Sequence, residues 1–154
     1  FVYTGLFKYA RDEAELASVI GHEVAHALAR HGAERMSMVL LAQLGEAAAL
    51  VAMGNQSEET QVAFLAAFGV ITNLGVLLPY SRTHEYEADR IGLILMALAG
   101  YDPHAALSFW KKMAQLSKGE TGFEFLSTHP TDANRIAQIR TFLPVAMKYY
   151  KPAG

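Results

Sequence analysis

The sequence predicts a mainly α-helical protein with one residual β-strand at its N-terminal end. Stretches rich in Ala, Leu and Met recur along the 154 residues, and turn-forming residues separate them. The only β-type run, Phe1-Val2-Tyr3-Thr4, stops at Gly5. Helices are predicted from Asp12 to about Arg30 and over residues 36–53, 62–78, 81–99, 103–117 and 131–142.

The predicted helix ends follow from capping chemistry. Side chains that accept a hydrogen bond from a free helical N–H mark the starts, and glycine or proline marks the stops. Asp12, with Glu15 three residues on, resembles a capping box. The other predicted starts are at Ser57, Asp102 and Asp132, and the predicted stops are at Gly32, Pro79, Gly100 and Pro144.

Length and composition favour one folded domain, spanning residues 1–154. Hydrophobic residues make up 52% and charged residues 18%, which is typical of a globular chain rather than a disordered one. A net charge of −2 without a basic run gives no electrostatic support for nucleic acid as a partner. The lack of cysteine excludes disulfides and thiolate chemistry. Because the chain opens at Phe1, inside a strand, we expect an N-terminal truncation that removes any targeting or anchor segment.

Residues 36–78 form a predicted apolar hairpin. Its two helices have lengths near the lower limit for crossing a bilayer, but Gln43, Glu46, Thr72 and Asn73 interrupt them. We interpret the hairpin as a buried pair of helices. Contact with or insertion into a membrane is the alternative.

The motif His22-Glu23-Val24-Ala25-His26 lies within the first predicted helix. Residues four apart share one helical face, so both imidazoles can bind one metal ion. Glu23 lies to the side, where it can reach a water on that ion. A catalytic zinc site needs three protein ligands and an open position, so one ligand is missing from this helix.

Glu85 is predicted to be the third ligand, with Asp89 behind it. The two carboxylates are four residues apart on a predicted helix, and metal-bound histidines usually donate their second N–H to a carboxylate. We expect Asp89 to accept that bond from His22 or His26. Glu87, the rival ligand, lies on another face of the helix.

His-Glu-x-x-His followed by Glu85-x-x-Ala88-Asp89, with Ser81-Arg82 before it, resembles the CaaX prenyl endopeptidase and HtpX family of gluzincin zinc peptidases. The BepA-like envelope peptidases and their mitochondrial Oma-type relatives match best. Further matching residues are Gly5-Leu6, Glu15-Leu16, residues 19–26, Arg30-His31, Thr128-His129-Pro130 and Arg135-Ile136. The resemblance implies a zincin-like helical catalytic domain, one Zn2+ per chain and cleavage of proteins or peptides. It also implies a bacterial periplasmic or envelope location and a role in protein quality control.

Three further residues are candidates on the same resemblance. His129 matches a loop histidine over the active site, so it is expected either to donate to the oxyanion or to contact zinc in the resting state. Arg82 and Arg135 are candidates for binding substrate carbonyls or for pairing with Asp89 and glutamates, and for Arg82 the pairing role is favoured. His31 is expected at the surface or as a cap near the end of the first helix.

Two other function classes remain. A di-iron carboxylate bundle needs Glu-x-x-His twice, and the chain has it once, at Glu23 and His26. A metal-stabilised chaperone or binding module with weak or self-inhibited proteolysis would need the same residues but a blocked site.

Overall fold

The structure, a computed structural model, describes residues 4–116, 129 and 133–152, and its regular elements are all helices. A 3₁₀ helix spans Thr4–Lys8 and is followed by α1 (Glu13–Leu28), α2 (His31–Ala52), α3 (Glu58–Thr72), a π-helical turn (Asn73–Leu77), α4 (Leu78–Leu98), α5 (His104–Leu116) and α6 (Ala133–Ala146). The mainly α prediction is confirmed. No described residue forms a strand: Thr4 begins the 3₁₀ helix, and residues 1–3 lie outside the described part, as do residues 117–132 apart from His129.

The chain divides into two compact units. The first consists of residues 1–29 and 85–154, and the second of residues 30–84. The division falls within α4, between His84 and Glu85. The prediction of one catalytic domain over 1–154 stays a prediction.

The first unit has a buried core made by the 3₁₀ helix, α1, α5, α6 and the C-terminal part of α4. Burial of large apolar side chains is the main force that holds these five elements together. The core residues are Leu6, Val19, Leu93, Met96, Phe109, Trp110, Met113, Ile139 and Leu143. This packing fixes the helices that carry the predicted site residues.

The second unit consists of the apolar hairpin, residues 36–78, and the polar segments on either side of it, residues 30–35 and 79–84. Gly45 on α2 lies close to Phe68 on α3, so the two helices pack together. His31 is the only buried residue of α2, and α3 has none, both helices being described in full. The hairpin is therefore not a buried pair of helices within the described chain, contrary to our interpretation of its sequence.

The predicted capping residues agree with the structure where it describes them, but the helices predicted to begin at 36, 62 and 81 begin earlier, at His31, Glu58 and Leu78. The Asp12 carboxylate accepts from the Glu15 N–H at 2.8 Å, Ser57 accepts from Thr60 at 3.3 Å, and Asp102 accepts from His104 at 2.9 Å. Gly100 ends α4 as predicted, with φ of 86°. Its N–H bonds to Ala97 and that of Tyr101 to Met96, the two bonds of a Schellman motif.

Three predicted stops are wrong. Gly32 lies inside α2; the break comes at Arg30, which adopts the left-handed conformation with φ of 59°. Pro79 lies inside α4, and the wider π turn before it, in which the Leu78 N–H bonds to Asn73, accommodates the proline ring. Pro144 lies inside α6, one turn from its end, where it removes only one hydrogen bond while Leu143 and Ala146 pack into the core.

Candidate metal centre

The helical spacing of α1 places two imidazoles side by side. His22 is buried, His26 is partly exposed, and their Nε2 atoms lie 3.1 Å apart. The two rings meet edge to face, with centroids 4.6 Å apart. One turn of helix therefore offers two nitrogen donors to a single point.

Glu85 on α4 and His129 complete a cluster of four donors. The Glu85 carboxylate oxygens lie 3.3 Å from His22 Nε2 and 3.2 Å from His26 Nε2. His129 Nδ1 lies 3.2 Å from His22 Nε2 and 3.1 Å from the Glu85 carboxylate. One donor atom from each of the four residues lies within 4.8 Å of all the others, so they can hold a metal ion.

Two glycines let α1 and α4 approach closely next to His22. A Cβ atom at Gly92 would lie 2.9 Å from the His22 backbone nitrogen, and one at Gly21 would lie 2.9 Å from the Gly92 carbonyl oxygen. Real Cβ atoms do not approach backbone this closely, so both positions need glycine. The contact brings Glu85, two turns before Gly92, within reach of the α1 imidazoles.

Asp89 and Arg135 form a buried support beneath the cluster. The Asp89 carboxylate lies 3.0 Å from His22 Nδ1, which fits the expected bond to a metal-binding histidine. Arg135 donates to both Asp89 oxygens at 2.7 and 2.8 Å and lies 3.0 Å from Glu85. The Arg135 guanidinium also stacks on the Trp110 ring at 3.7 Å. Because Arg135 is buried and bound on these sides, it pairs with the carboxylates rather than facing a substrate.

The electrostatics of this support favour charged carboxylates. Burial acts to raise the pKa of Asp89, but the charge and hydrogen bonds of Arg135 outweigh it and lower that pKa. Burial likewise opposes ionisation of Glu85, yet hydrogen bonds from His129, His22 and His26 hold its pKa well below the usual range. Burial acts to lower the pKa of His22, but hydrogen bonds to Asp89 and Glu85 reverse that effect and raise it. Two buried carboxylates thus face one guanidinium, and a bound cation would balance the remaining negative charge.

Glu23 lies at the open side of the cluster. Its side chain is 49% exposed, and its carboxylate lies 3.1 Å from His129 Nε2. His129 therefore contacts Glu23 through one ring nitrogen and the donor cluster through the other.

The remaining predicted residues fall elsewhere. Glu87 is exposed, unlike Glu85. Arg82 is exposed on α4 and forms no ion pair with another described residue. His31, expected at the surface or as a cap near the end of the first helix, is the first residue of α2, is buried and stacks on the His84 ring at 4.1 Å. The expected exposure is wrong because the burial of His31 depends on α4, which is distant in sequence.

The cluster lies in a stretch of the chain that matches a known protein family. The model of peptidase family M48 matches residues 1–143, which include every residue of the cluster and of its buried support. The chain belongs to peptidase family M48. Membership of this family implies a metal ion at the cluster.

Curated relatives of this M48 chain are named metalloendopeptidases and proteases. Mitochondrial metalloendopeptidase OMA1 of Schizosaccharomyces pombe is 39% identical over 95% of this chain and 41% of its own length. Human OMA1 is 34% identical over 96% of this chain and 29% of its own length. The β-barrel assembly-enhancing protease of Escherichia coli is 32% identical over 90% of this chain and 29% of its own length. No solved structure matches the chain significantly.

Two features of the M48 site were not predicted from the sequence. Gly21 and Gly92 carry a recognisable signal, since a glycine inside a helical pattern often marks a close approach of backbones. Trp110 carries none, because its position under Arg135 depends on how α5 and α6 pack.

Proposed function

We propose that this chain is the catalytic domain of a zinc-dependent endopeptidase that hydrolyses peptide bonds of proteins. The observation that carries the proposal is the four-donor cluster of His22, His26, Glu85 and His129, with Glu23 beside it. Because the chain spans less than half the length of the relatives it matches, their activities are said of those proteins and enter here as support.

The donor set fits zinc. Three imidazole nitrogens and a carboxylate oxygen are ligands that zinc accepts, in tetrahedral geometry. Ligand atoms at zinc distances in a tetrahedron lie about 3.3–3.4 Å apart. The separations of 3.1–3.3 Å among the four residues are close to this. We assign His22, His26 and Glu85 as the zinc ligands, one ion per chain.

Glu23, Asp89 and Arg135 have separate roles in the proposed reaction. Zinc, when bound, supplies a Lewis acid that makes water acidic enough to lose a proton near neutral pH. We assign the exposed Glu23 carboxylate as the general base that would take that proton and pass it to the leaving amine. Asp89 holds the His22 ring through Nδ1, and Arg135 holds Asp89 and Glu85.

His129 has a second role, as a residue that restrains the site. Its Nδ1 occupies the place of a fourth donor, and its Nε2 engages the Glu23 carboxylate. In this arrangement both the open ligand position and the general base are occupied. Displacement of His129 by substrate would free both and leave its imidazole near the oxyanion.

The substrates and compartment are proposed from the relatives. A bacterial assembly-enhancing protease and mitochondrial enzymes both appear among them. We propose protein quality control in a cell envelope, the bacterial periplasm in particular.

The test measures zinc content and peptide cleavage on the same preparations. Glu23→Gln should keep one zinc per chain while kcat falls by several orders of magnitude, because the isosteric amide cannot accept the proton. Glu85→Gln should lose zinc and activity together.

Glu87→Gln, two residues from Glu85 and exposed, is the matched control and should keep both. Undiminished cleavage by Glu23→Gln would refute its role as general base. Full zinc with no cleavage in the unaltered protein, on any protein or peptide, would favour the metal-stabilised binding module.

A further inference from the structure

The apolar hairpin, residues 36–78, exposes an unusual amount of hydrocarbon. The described chain has two helical stretches long and apolar enough to cross a membrane, within His31–Ala52 and Glu58–Leu98, and neither window contains a buried residue. The large apolar side chains exposed on the hairpin include Met36, Leu40, Leu41, Leu44, Val51, Val62, Val70, Ile71, Leu74, Val76 and Leu78. A core helix of a soluble protein would bury such residues.

The exposed apolar surface runs around the hairpin rather than along one face. Val62 and Ile71 are nine residues apart, which places them on opposite sides of α3 at about 100° per residue. They are 60% and 68% exposed, respectively. On α2, Leu41 and Val51 are 63% and 82% exposed. One protein partner covers one face of a helix, whereas lipid chains surround it, so the distribution favours lipid.

The polar side-chain contacts of the hairpin lie mostly at its two ends; between them, the Asn73 amide donates to the Gly69 carbonyl at 3.1 Å, a bond within one helix. At the base, the Glu34 carboxylate accepts from Tyr80 at 2.8 Å and lies 3.0 Å from His84 Nε2. At the tip, the Gln61 amide donates to the carbonyls of Met53 and Gln56. Between these ends, residues 62–78 carry no charge and residues 36–51 carry only Glu46.

The dimensions and charges match a bilayer. At about 1.5 Å per residue, the apolar stretches 36–51 and 62–78 are about 24–26 Å long, slightly less than the hydrocarbon core of about 30 Å. Three exposed cations, Arg30, Arg35 and Arg82, lie toward the base, where phospholipid phosphates would meet them. Tyr80, also at the base, is a residue type enriched at the membrane interface.

We propose that residues 36–78 insert as a hairpin into the hydrocarbon core of a lipid bilayer and so anchor the catalytic chain to a membrane. The position in the chain excludes a secretory leader, because the hairpin follows the His22–His26 motif inside the family match. The anchor would restrict the peptidase to substrates at or near a membrane surface. It does not rest on the proposed catalytic roles.

Flotation of the full chain with neutral phosphatidylcholine vesicles tests insertion directly. The unaltered chain should float with the vesicles and stay with them in high salt, because hydrocarbon burial is not screened by ions. The double variant Leu44→Lys/Ile71→Lys should reduce the floating fraction at least about tenfold, since charges are excluded from the bilayer centre. Both positions are exposed, at 58% and 68%, so the changes disturb no core.

Leu98→Lys is the matched control, since Leu98 is 64% exposed and lies outside the hairpin. It should float like the unaltered chain. All variants should keep zinc content and cleavage of a short soluble peptide, which separates a failed anchor from a failed enzyme. An unaltered chain that stays with the protein fraction would overturn the proposal.

The absence of cysteine allows a second measurement without background labelling. Vesicles should slow the reaction of Ile71→Cys with a water-soluble maleimide at least about tenfold. Ser108→Cys, exposed on α5, should react at one rate with or without vesicles. Protection of Ile71→Cys in lipid-free dimers, reversed when Leu44→Lys is added, would instead assign the surface to a second copy of the chain.

Discussion

At the residue scale, the geometry of the four-donor cluster depends on a buried stack of three side chains behind His22. Trp110 supports the guanidinium of Arg135, Arg135 binds both oxygens of Asp89, and Asp89 lies against His22 Nδ1. Each of these contacts restricts the orientation of the next side chain, and the last one restricts the His22 ring. The geometry of Arg135 matters here, because a planar fork binds a carboxylate through two bonds and stacks on an aromatic ring, and an ammonium does neither as well.

Arg135→Lys should therefore weaken zinc binding while the charge is kept. We expect the dissociation constant to rise about 10–100-fold, as for other changes behind a metal-binding histidine. The chain's one tryptophan, Trp110, has its ring centroid 5.3 Å from that of His22, so its fluorescence should report zinc titration. Arg140→Lys, exposed on α6, is the control and should titrate like the unaltered chain. Equal zinc affinities for both variants would contradict the supporting role of Arg135.

Removal of the His129 side chain is predicted to raise activity, whereas the change at Arg135 is predicted to weaken zinc binding. His129→Ala should keep zinc through His22, His26 and Glu85 and should cleave a short peptide several-fold faster, because the fourth donor position and Glu23 are freed. Zinc content and kcat/KM are the measurements, with His104→Ala as an exposed control. A loss of activity with zinc retained would instead assign His129 to stabilisation of the oxyanion.

At the element scale, the decisive contact is the crossing of α1 and α4 at Gly21 and Gly92. Backbone meets backbone there, and the neighbouring residue is His22. A side chain at either position can be accommodated only by separating the helices that carry His22, His26 and Glu85. The packing of α1 against α4 therefore sets the distances among these donor side chains.

Gly92→Ala tests this crossing with one methyl group. Its Cβ would lie 2.9 Å from the His22 nitrogen, so α1 and α4 must move apart. We expect destabilisation of about 1–3 kcal/mol in thermal unfolding and weaker zinc binding. Gly32→Ala is the control, because nothing lies within 4 Å of a Cβ there. Gly32→Ala should leave zinc binding unchanged. Because alanine has a higher helix propensity than glycine, its stability should be equal to that of the unaltered chain or up to about 1 kcal/mol higher. Unchanged zinc affinity in Gly92→Ala would contradict the prediction, because it would show that α1 and α4 can separate here without moving the donor side chains.

At the scale of the whole molecule, the two units differ in what they bury. The unit of residues 1–29 and 85–154 contains the buried core and the metal cluster. In the unit of residues 30–84, the few buried side chains include His31 and His84, and its apolar surface is exposed. The first unit buries the charged side chains of the candidate site, and the second exposes apolar side chains to its surroundings. This difference fits the membrane-anchored peptidase proposed above.

Much of this architecture could be predicted from sequence because the signals are local. Helix starts at Asp12, Ser57 and Asp102 depend on one side chain and one N–H a few residues away. The stops failed where tertiary packing or a neighbouring turn overrode the local preference, as at Gly32 and Pro79.

The sequence by itself determined the helical class, the facing of His22 and His26, and the spacing of Glu85 and Asp89, because a helix converts spacing of four residues into one face. Only the tertiary structure decided that His129 reaches both the cluster and Glu23, that Arg135 rather than Arg82 binds Asp89, and that the hairpin is exposed. Those contacts join residues more than 40 positions apart, or depend on what packs against a surface. Local periodicity carries no information about either, and the packing of whole helices sets both.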